Sequence, residues 1–283
     1  LYEARQTLDR GIGLFAKTSI TAGSAFMFNS PVVVVARGAL SGLSHADRDR
    51  VFSKAIQQLP KDTRKLFLDL ARSRRGNKID DIFQTNSMGM ELGGVRHLGV
   101  VPEAARINHA CRPNSYYRFD SKTLNLEVFA LHNIKAGEEL TFGYGYTTHP
   151  HTSRREALKN NWSFTCTCNL CMSPPTTITA SDARLKRIAV IKSTLPLAFG
   201  NLPRLLKLTQ ELITLFEEES LVVEKPKYEE IIAYTYSQVG DEDQTRYWAG
   251  RARKGWEIIA GKGSWEARRM EALEGNVRGH PSW

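Results

Sequence analysis

Arg106-Ile107-Asn108-His109-Ala110-Cys111-Arg112-Pro113-Asn114 is a polar, turn-rich stretch that holds one of only four cysteines in the 283 residues of this chain. The other three follow together in Cys166-Thr167-Cys168-Asn169-Leu170-Cys171. Thiols this tightly spaced do not make a disulfide framework for a chain of this size. Three thiolates on one short loop, with Cys111 as the fourth ligand, instead match a tetrahedral structural zinc site. The alternative is that Cys111 is a small buried apolar residue and the others are free thiols, which would oxidise readily if exposed. A zinc ion with all four positions filled has no room for water or substrate, so it would tie chain segments together and perform no chemistry.

Working outward, the chain ahead of this stretch begins with strands and turns. Gly11-Ile12-Gly13-Leu14-Phe15-Ala16-Lys17 reads as a turn entering a strand, and a Thr21-Ala22-Gly23-Ser24 turn leads to a β-rich segment over 25–35. Between residues 44 and 75 the period changes. Ser44 and Asp47 can cap a helix carrying Val51, Phe52, Ala55, Ile56 and Leu59, and a second helix after Pro60 carries Leu66, Phe67, Leu70 and Ala71. The basic run Arg72-Ser73-Arg74-Arg75-Gly76-Asn77-Lys78 reads as an exposed loop. Strand pattern returns over 124–131 and, after a Lys135-Ala136-Gly137-Glu138 turn, over 139–142. Residues 173–177 resemble a linker, and helical periodicity follows over 185–195, 202–219, 228–239 and 241–259. The last two form a hairpin similar to one tetratricopeptide unit. The aromatics Tyr234, Tyr236, Tyr247, Trp248 and Trp256 read as helix-packing residues.

The expected architecture is therefore α+β. Residues 1–39 and 85–150 form a β-rich domain interrupted by a helical insert at 40–84, a zinc loop occupies 151–172, and an all-α module occupies 173–283. The hydrophobic share of 41% suffices for a core. No apolar run approaches the ~18 residues of a membrane span, and the longest, over 32–36, is strand-sized. The opening Leu1-Tyr2-Glu3-Ala4-Arg5 has neither an initiator Met nor the apolar run of a signal peptide, so the expectation is a piece of a longer product. A net charge of +9 favours acidic neighbours, but the charge is too dispersed for the stripe of a nucleic-acid binder. Reduced thiols suggest an intracellular protein, nuclear or cytoplasmic.

Four blocks resemble the SET-domain lysine methyltransferases, and among them the SMYD group and its fungal relatives. They are Arg10-Gly11-Ile12-Gly13-Leu14-Phe15-Ala16, the 106–114 stretch, Gly137-Glu138-Glu139-Leu140-Thr141-Phe142-Gly143-Tyr144-Gly145, and the cysteine loop, and they stand in the family's order. The resemblance covers about residues 10–171, and the helical tail also suits SMYD-type proteins. Two departures are visible. Residues 40–94 contain no cysteine, so the MYND zinc module and its partner interactions are not carried over. Trp162 stands where SMYD enzymes usually have a tyrosine, which departs from a two-tyrosine site.

The resemblance implies methyl transfer from S-adenosylmethionine to lysine side chains of histone or non-histone proteins, with S-adenosylhomocysteine as product. It also implies a threaded β-part, one structural zinc on Cys111, Cys166, Cys168 and Cys171, and a monomer whose partner is a lysine-bearing protein. Arg10, Gly11, Ile12 and Gly13 would meet the cofactor's amino-acid end, where glycine permits close backbone approach. Asn108 and His109 would contact the cofactor through amide and imidazole, and Asn86 would add a third polar contact. Tyr144 would be both catalytic and cofactor-lining, orienting the lysine amine, with Tyr146 as a backup. Trp162 and Phe164 would wall the cofactor and lysine channel, or Trp162 would simply pack against the zinc loop. The competing reading is a SET-fold scaffold with weak or lost turnover.

Overall fold

A computed structural model describes residues 1–74 and 76–283; Arg75, part of the basic run, lies outside the described residues. The chain divides into two compact units, Leu1–Tyr146 with Thr152–Cys168, and Thr147–His151 with Asn169–Trp283.

The first unit is built from short strands. β1 (Tyr2–Gln6) and β2 (Ile12–Ala16) pair antiparallel. Their connecting turn is closed by the Thr7 amide on the Gly11 carbonyl at 2.7 Å and by the Arg10 amide on Thr7 Oγ1 at 3.0 Å. Gly11 takes φ 70° there, a backbone region that side chains disfavour. β1 has little apolar signal, since its residues are half-buried to exposed, and periodicity did not foresee it. The segment 25–35 is two strands rather than one: β3 (Ala25–Asn29) and β4 (Val33–Ala36) belong to different sheets, separated at Ser30-Pro31.

The helical insert begins as expected. Ser44 Oγ accepts the Asp47 amide and caps α1 (His45–Gln57), which buries Phe52 and Ile56, and α2 (Lys61–Leu68) starts after Pro60 and buries Phe67. A third helix, α3 (Lys78–Asn86), was not foreseen, because two of its buried residues, Asp80 and Asp81, are charged. It holds its place by burying Ile82 and Phe83, the latter stacked on Phe52 at 4.2 Å. The basic run before it is not a solvated loop throughout. Ser73 is buried, and the carboxylate of Asp81 gathers the Ser73 and Arg74 amides, the Thr85 hydroxyl and Arg72 Nε, all within 3.2 Å.

Next, β5 (Met88–Leu92) and β6 (Val95–Val100) form a hairpin that joins β4 in the order β4-β6-β5. After β7 (Asn108–His109), β8 (Ser115–Asp120) and β9 (Asn125–Ala130) join β3 in the order β3-β9-β8. β10 (Thr141–Phe142) then lies parallel to β7, with Asn108 opposite Thr141 and His109 opposite Phe142. The chain just before β10 also runs beside β2: the Leu140 amide donates to the Leu14 carbonyl at 2.7 Å, and Phe15 bridges to Glu139. Two sequence blocks about 30 residues apart, and a third from near the start, thus become neighbours over a core containing Leu14, Ile107, Val128, Leu140 and Phe142. α4 (His151–Trp162) precedes the cysteine loop, and Ser163 ends it with φ 59°.

The second unit is helical. α5 (Pro175–Thr194) starts two residues after Ser173, so 175–177 are helix rather than linker; Pro175 sits at the first helical position, where its missing N–H costs nothing. Leu185, Ile188 and Ile191 pack with Leu212, Ile213 and Phe216 of α6 (Leu202–Glu218) and with Ile232 of α7 (Lys225–Gln238). A second cluster joins Ala233 to Ala249 and Ala252 of α8 (Glu242–Ile259) and to Met270 and Leu273 of α9 (Trp265–Gly275). Trp256 packs there and donates to Glu230 at 3.0 Å, whereas Tyr247 is 54% exposed and not a packing residue as expected. Among the described residues no helix is long and apolar enough to cross a membrane.

Candidate active site and metal centre

The strand pairing brings the sequence blocks around one cavity of about 930 Å³. Arg10, Gly11, Ile12, Asn86, Asn108, His109, Tyr144, Trp162 and Phe164 all line it. Gly13 stands just behind the lining, and its role is steric. A Cβ there would come 2.5 Å from Glu139 Oε1 and 2.9 Å from Asn108 Nδ2, so only glycine lets β2 approach this closely.

Glu139 is the residue that sequence reasoning missed. Its carboxylate accepts Asn108 Nδ2 at 2.9 Å and pairs with Arg10 Nη2 at 2.6 Å, so it holds two of the expected contacts together from behind. The available signal was a carboxylate next to the Leu140-Thr141-Phe142 strand, a costly place unless paired. Asn86 donates its amide to the carbonyls of Ala71 and Ile82 at 2.8 and 2.7 Å, which fixes the loop after α2 against the end of α3. That loop also lines the cavity through Ala71, Arg72 and Ser73, and Ser73 Oγ reaches the Asn161 carbonyl at 3.2 Å. The insert therefore forms one wall of the site.

Tyr144 is half-buried in the cavity wall and donates its hydroxyl to the Ile107 carbonyl at 2.8 Å. Burial, reinforced by the Glu139 carboxylate, pushes its pKa well above the ordinary phenol value, so the side chain stays neutral. Trp162 stands 5.3 Å from the Tyr144 ring and 6.5 Å from that of Tyr146, and its indole N–H donates to the Thr85 carbonyl at 3.1 Å. It therefore walls the cavity. Phe164 meets Tyr144 edge-on at 6.3 Å. Tyr146 does not line the cavity; its hydroxyl accepts Asn161 Nδ2 at 3.1 Å.

His109 differs from expectation. Its ring is 4% exposed, and both nitrogens face protein groups: Nδ1 accepts the Tyr144 amide at 3.0 Å and Nε2 lies 3.4 Å from Cys111 Sγ. Burial, with the charges of Arg154 and Arg10 acting the same way, holds the imidazole down at about 4, so it is neutral. The ring has no nitrogen left to offer a ligand as a hydrogen-bonding group.

Cys111, Cys166 and Cys168 come together as their spacing suggested. Their sulfurs lie within 4.8 Å of one another, Cys111 and Cys166 at 3.9 Å, and Cys171 follows three residues on; none of the four is in a disulfide. A tetrahedron of ~2.3 Å zinc–sulfur bonds has edges near ~3.8 Å, so the donor set fits zinc. Cys111, Cys166 and Cys171 are buried and Cys168 half-buried, a closed surrounding suited to a structural ion. Between the cysteines, Thr167 Oγ1 donates to Asp9 at 2.9 Å, next to the Arg10–Gly13 turn.

The family model of the SET domain matches residues 11–145. A SET and MYND domain-containing protein of Dictyostelium discoideum is 40% identical over 81 residues, 29% of this chain and 16% of that protein. Histone-lysine N-methyltransferase set5 of Schizosaccharomyces pombe is 24% identical over 200 residues, 69% of this chain and 58% of that protein. N-lysine methyltransferase SMYD2 of Homo sapiens is 34% identical over 88 residues, 30% of this chain and 20% of that protein. The matched part of the chain thus spans less than two thirds of the length of each of these relatives, from 16% to 58%.

Proposed function

Because this chain is a SET-domain protein related to the SMYD group, we propose that it transfers a methyl group from S-adenosylmethionine to a lysine side chain of another protein, histone or non-histone, and releases S-adenosylhomocysteine. The observation that carries the reading is the convergence of Arg10, Gly11 and Ile12, Asn108 and Tyr144 on one cavity.

S-adenosylmethionine supplies an electrophilic methyl group on a sulfonium, and the protein's task is to align a neutral amine in line with it. Tyr144 suits that task. Its O–H is committed to the Ile107 carbonyl, which leaves the oxygen lone pairs to accept a hydrogen bond from an incoming amine. A phenol held neutral is no base at physiological pH, so Tyr144 orients the amine and its proton leaves to solvent. The aromatic faces of Trp162 and Phe164 favour the methylammonium product by cation–π attraction. The turn at Gly11 offers backbone to the cofactor's amino-acid end, and Asn86 and Asn108 brace the surrounding wall. Cys111, Cys166, Cys168 and Cys171 would hold a structural zinc, which would brace the loop that carries Phe164 and Thr167. The helical part is a tetratricopeptide-like module, and the protein acts as a monomer in the nucleus or cytoplasm.

The test is calorimetric titration of zinc-replete protein with S-adenosylmethionine, followed by mass-spectrometric detection of methylated lysine in candidate proteins with the native chain and Tyr144→Phe. One saturable site and Tyr144-dependent transfer support the reading. Trp162, in place of the usual tyrosine, motivates the second reading, a scaffold on the same fold; folded protein that binds cofactor or peptide without turnover would favour it.

A further inference from the structure

His109 lines the cavity but commits both ring nitrogens to protein groups, and its two bonds point in different functional directions. The Tyr144 amide can only donate, so Nδ1 must be the unprotonated nitrogen of the ring. A neutral imidazole then carries its proton on Nε2, 3.4 Å from Cys111 Sγ. An N–H aimed at a thiolate stabilises the negative sulfur and orients it for a metal. The same ring sits on β7, whose partner β10 ends two residues before Tyr144. The imidazole is 4% exposed and its ring lies 6.0 Å from that of Phe164.

We propose that His109 is a positioning residue that couples the metal centre to Tyr144, its Nε2–H stabilising the Cys111 thiolate while its Nδ1 fixes the Tyr144 backbone amide. The inference rests on the zinc reading of the four cysteines. It makes the closed metal centre relevant to chemistry it does not perform, because one rigid ring spans from a metal-bound sulfur to the residue that orients the substrate amine. Tyr144 keeps its own Ile107 bond, so the ring sets where the tyrosine's main chain lies and not how its hydroxyl is used.

Two substitutions separate the two bonds. His109→Asn places an amide oxygen near the Nδ1 position and removes the group that reaches Cys111; His109→Gln places an amide nitrogen near Nε2 and removes the acceptor for Tyr144. Zinc content of the purified native chain is measured first, and a metal-free folded protein overturns the zinc reading itself. With one zinc per chain, His109→Asn should release it to a chelator about tenfold faster, the scale of losing a partner behind a metal ligand. S-adenosylhomocysteine binding should weaken less in that variant than in His109→Gln. His109→Gln should keep the native release rate and bind S-adenosylhomocysteine about tenfold more weakly. Equal effects of both variants on both readouts would mean a general packing role and overturn the coupling.

A measurement on the unmodified chain guards against variants that fail to fold. With ¹¹³Cd in place of zinc and ¹⁵N-labelled histidine, the His109 ring should show the Nε2–H tautomer and a scalar coupling between that proton and the metal through the sulfur. An Nδ1–H tautomer in the metal-loaded protein would overturn the inference and leave the zinc site intact.

Discussion

Gly13→Ala isolates a single methyl group at the most crowded point behind the cavity. The new Cβ would lie 2.5 Å from Glu139 Oε1, 2.9 Å from Asn108 Nδ2 and 3.2 Å from Thr7 Cγ2. The Glu139 carboxylate could swing away from it only by giving up Asn108 or Arg10, which it holds at 2.9 and 2.6 Å. Overpacking of this kind costs roughly 1–3 kcal/mol, and disturbing a charge-assisted hydrogen bond adds about 1 kcal/mol after discounting for the partial exposure of Arg10. A total near ~2–4 kcal/mol corresponds to a loss of about 30- to 900-fold if it is all expressed in ligand binding. The assay is calorimetric binding of S-adenosylhomocysteine together with urea unfolding of the first unit in the full chain. Gly89→Ala is the control, since Gly89, like Gly13, has no positive φ but has no atom within 4 Å of the added Cβ, so it reports the loss of glycine's backbone freedom alone. Glu139→Ala supplies the sharper comparison: with the carboxylate removed, the alanine at position 13 should cost at least ~1 kcal/mol less than in the native background. Strict additivity of the two substitutions, or native binding by Gly13→Ala, would refute the steric account.

Other outcomes follow from the same geometry. Asp81 is the buried carboxylate beneath the basic loop; burial alone would raise its pKa, but the Arg74 and Ser73 amides, the Thr85 hydroxyl and Arg72 outweigh it and hold the value below the ordinary 3.8. A pKa lowered on folding means stability that is full above 3.8 and is lost as pH falls through the folded value. Asp81→Asn should therefore be less stable at neutral pH, by about 1–3 kcal/mol, and show a shallower fall in acid, read by urea midpoints across the range. Tyr144→Phe removes one hydrogen bond to Ile107, so it should cost only about 1 kcal/mol of stability and leave S-adenosylhomocysteine binding intact, while methyl transfer drops by ~10²-fold or more. Chelation should release one zinc per chain and turn four protected thiols into four that react with a disulfide reagent, and cofactor binding should be lost with the metal because Phe164 and Thr167 ride on that loop; full binding by metal-free protein would contradict this.

Much of this molecule could be read from residue types and spacing. The cysteine pattern named its own cluster, because few arrangements other than a tetrahedral metal bring three thiols onto six residues with a fourth elsewhere. Ser44 announced the start of α1 because a hydroxyl one residue ahead of an amphipathic run satisfies an amide that the helix leaves open. The helical second half was legible from three- and four-residue spacing, which depends only on local geometry. What escaped were elements whose signals are not local. β1 is a strand because β2 offers it a ladder, and α3 is a helix in spite of Asp80 and Asp81 because distant amides and cations satisfy their charge. Block membership singled out Asn108, His109 and Tyr144, which line one cavity, but only the parallel pairing of β7 with β10 put the Tyr144 amide on the His109 ring. The sequence determined which groups are present, because composition and period act along the chain. The tertiary structure decided which of them share a hydrogen bond, because each nitrogen or carboxylate has few partners to take and the fold chooses among neighbours that lie far apart in sequence.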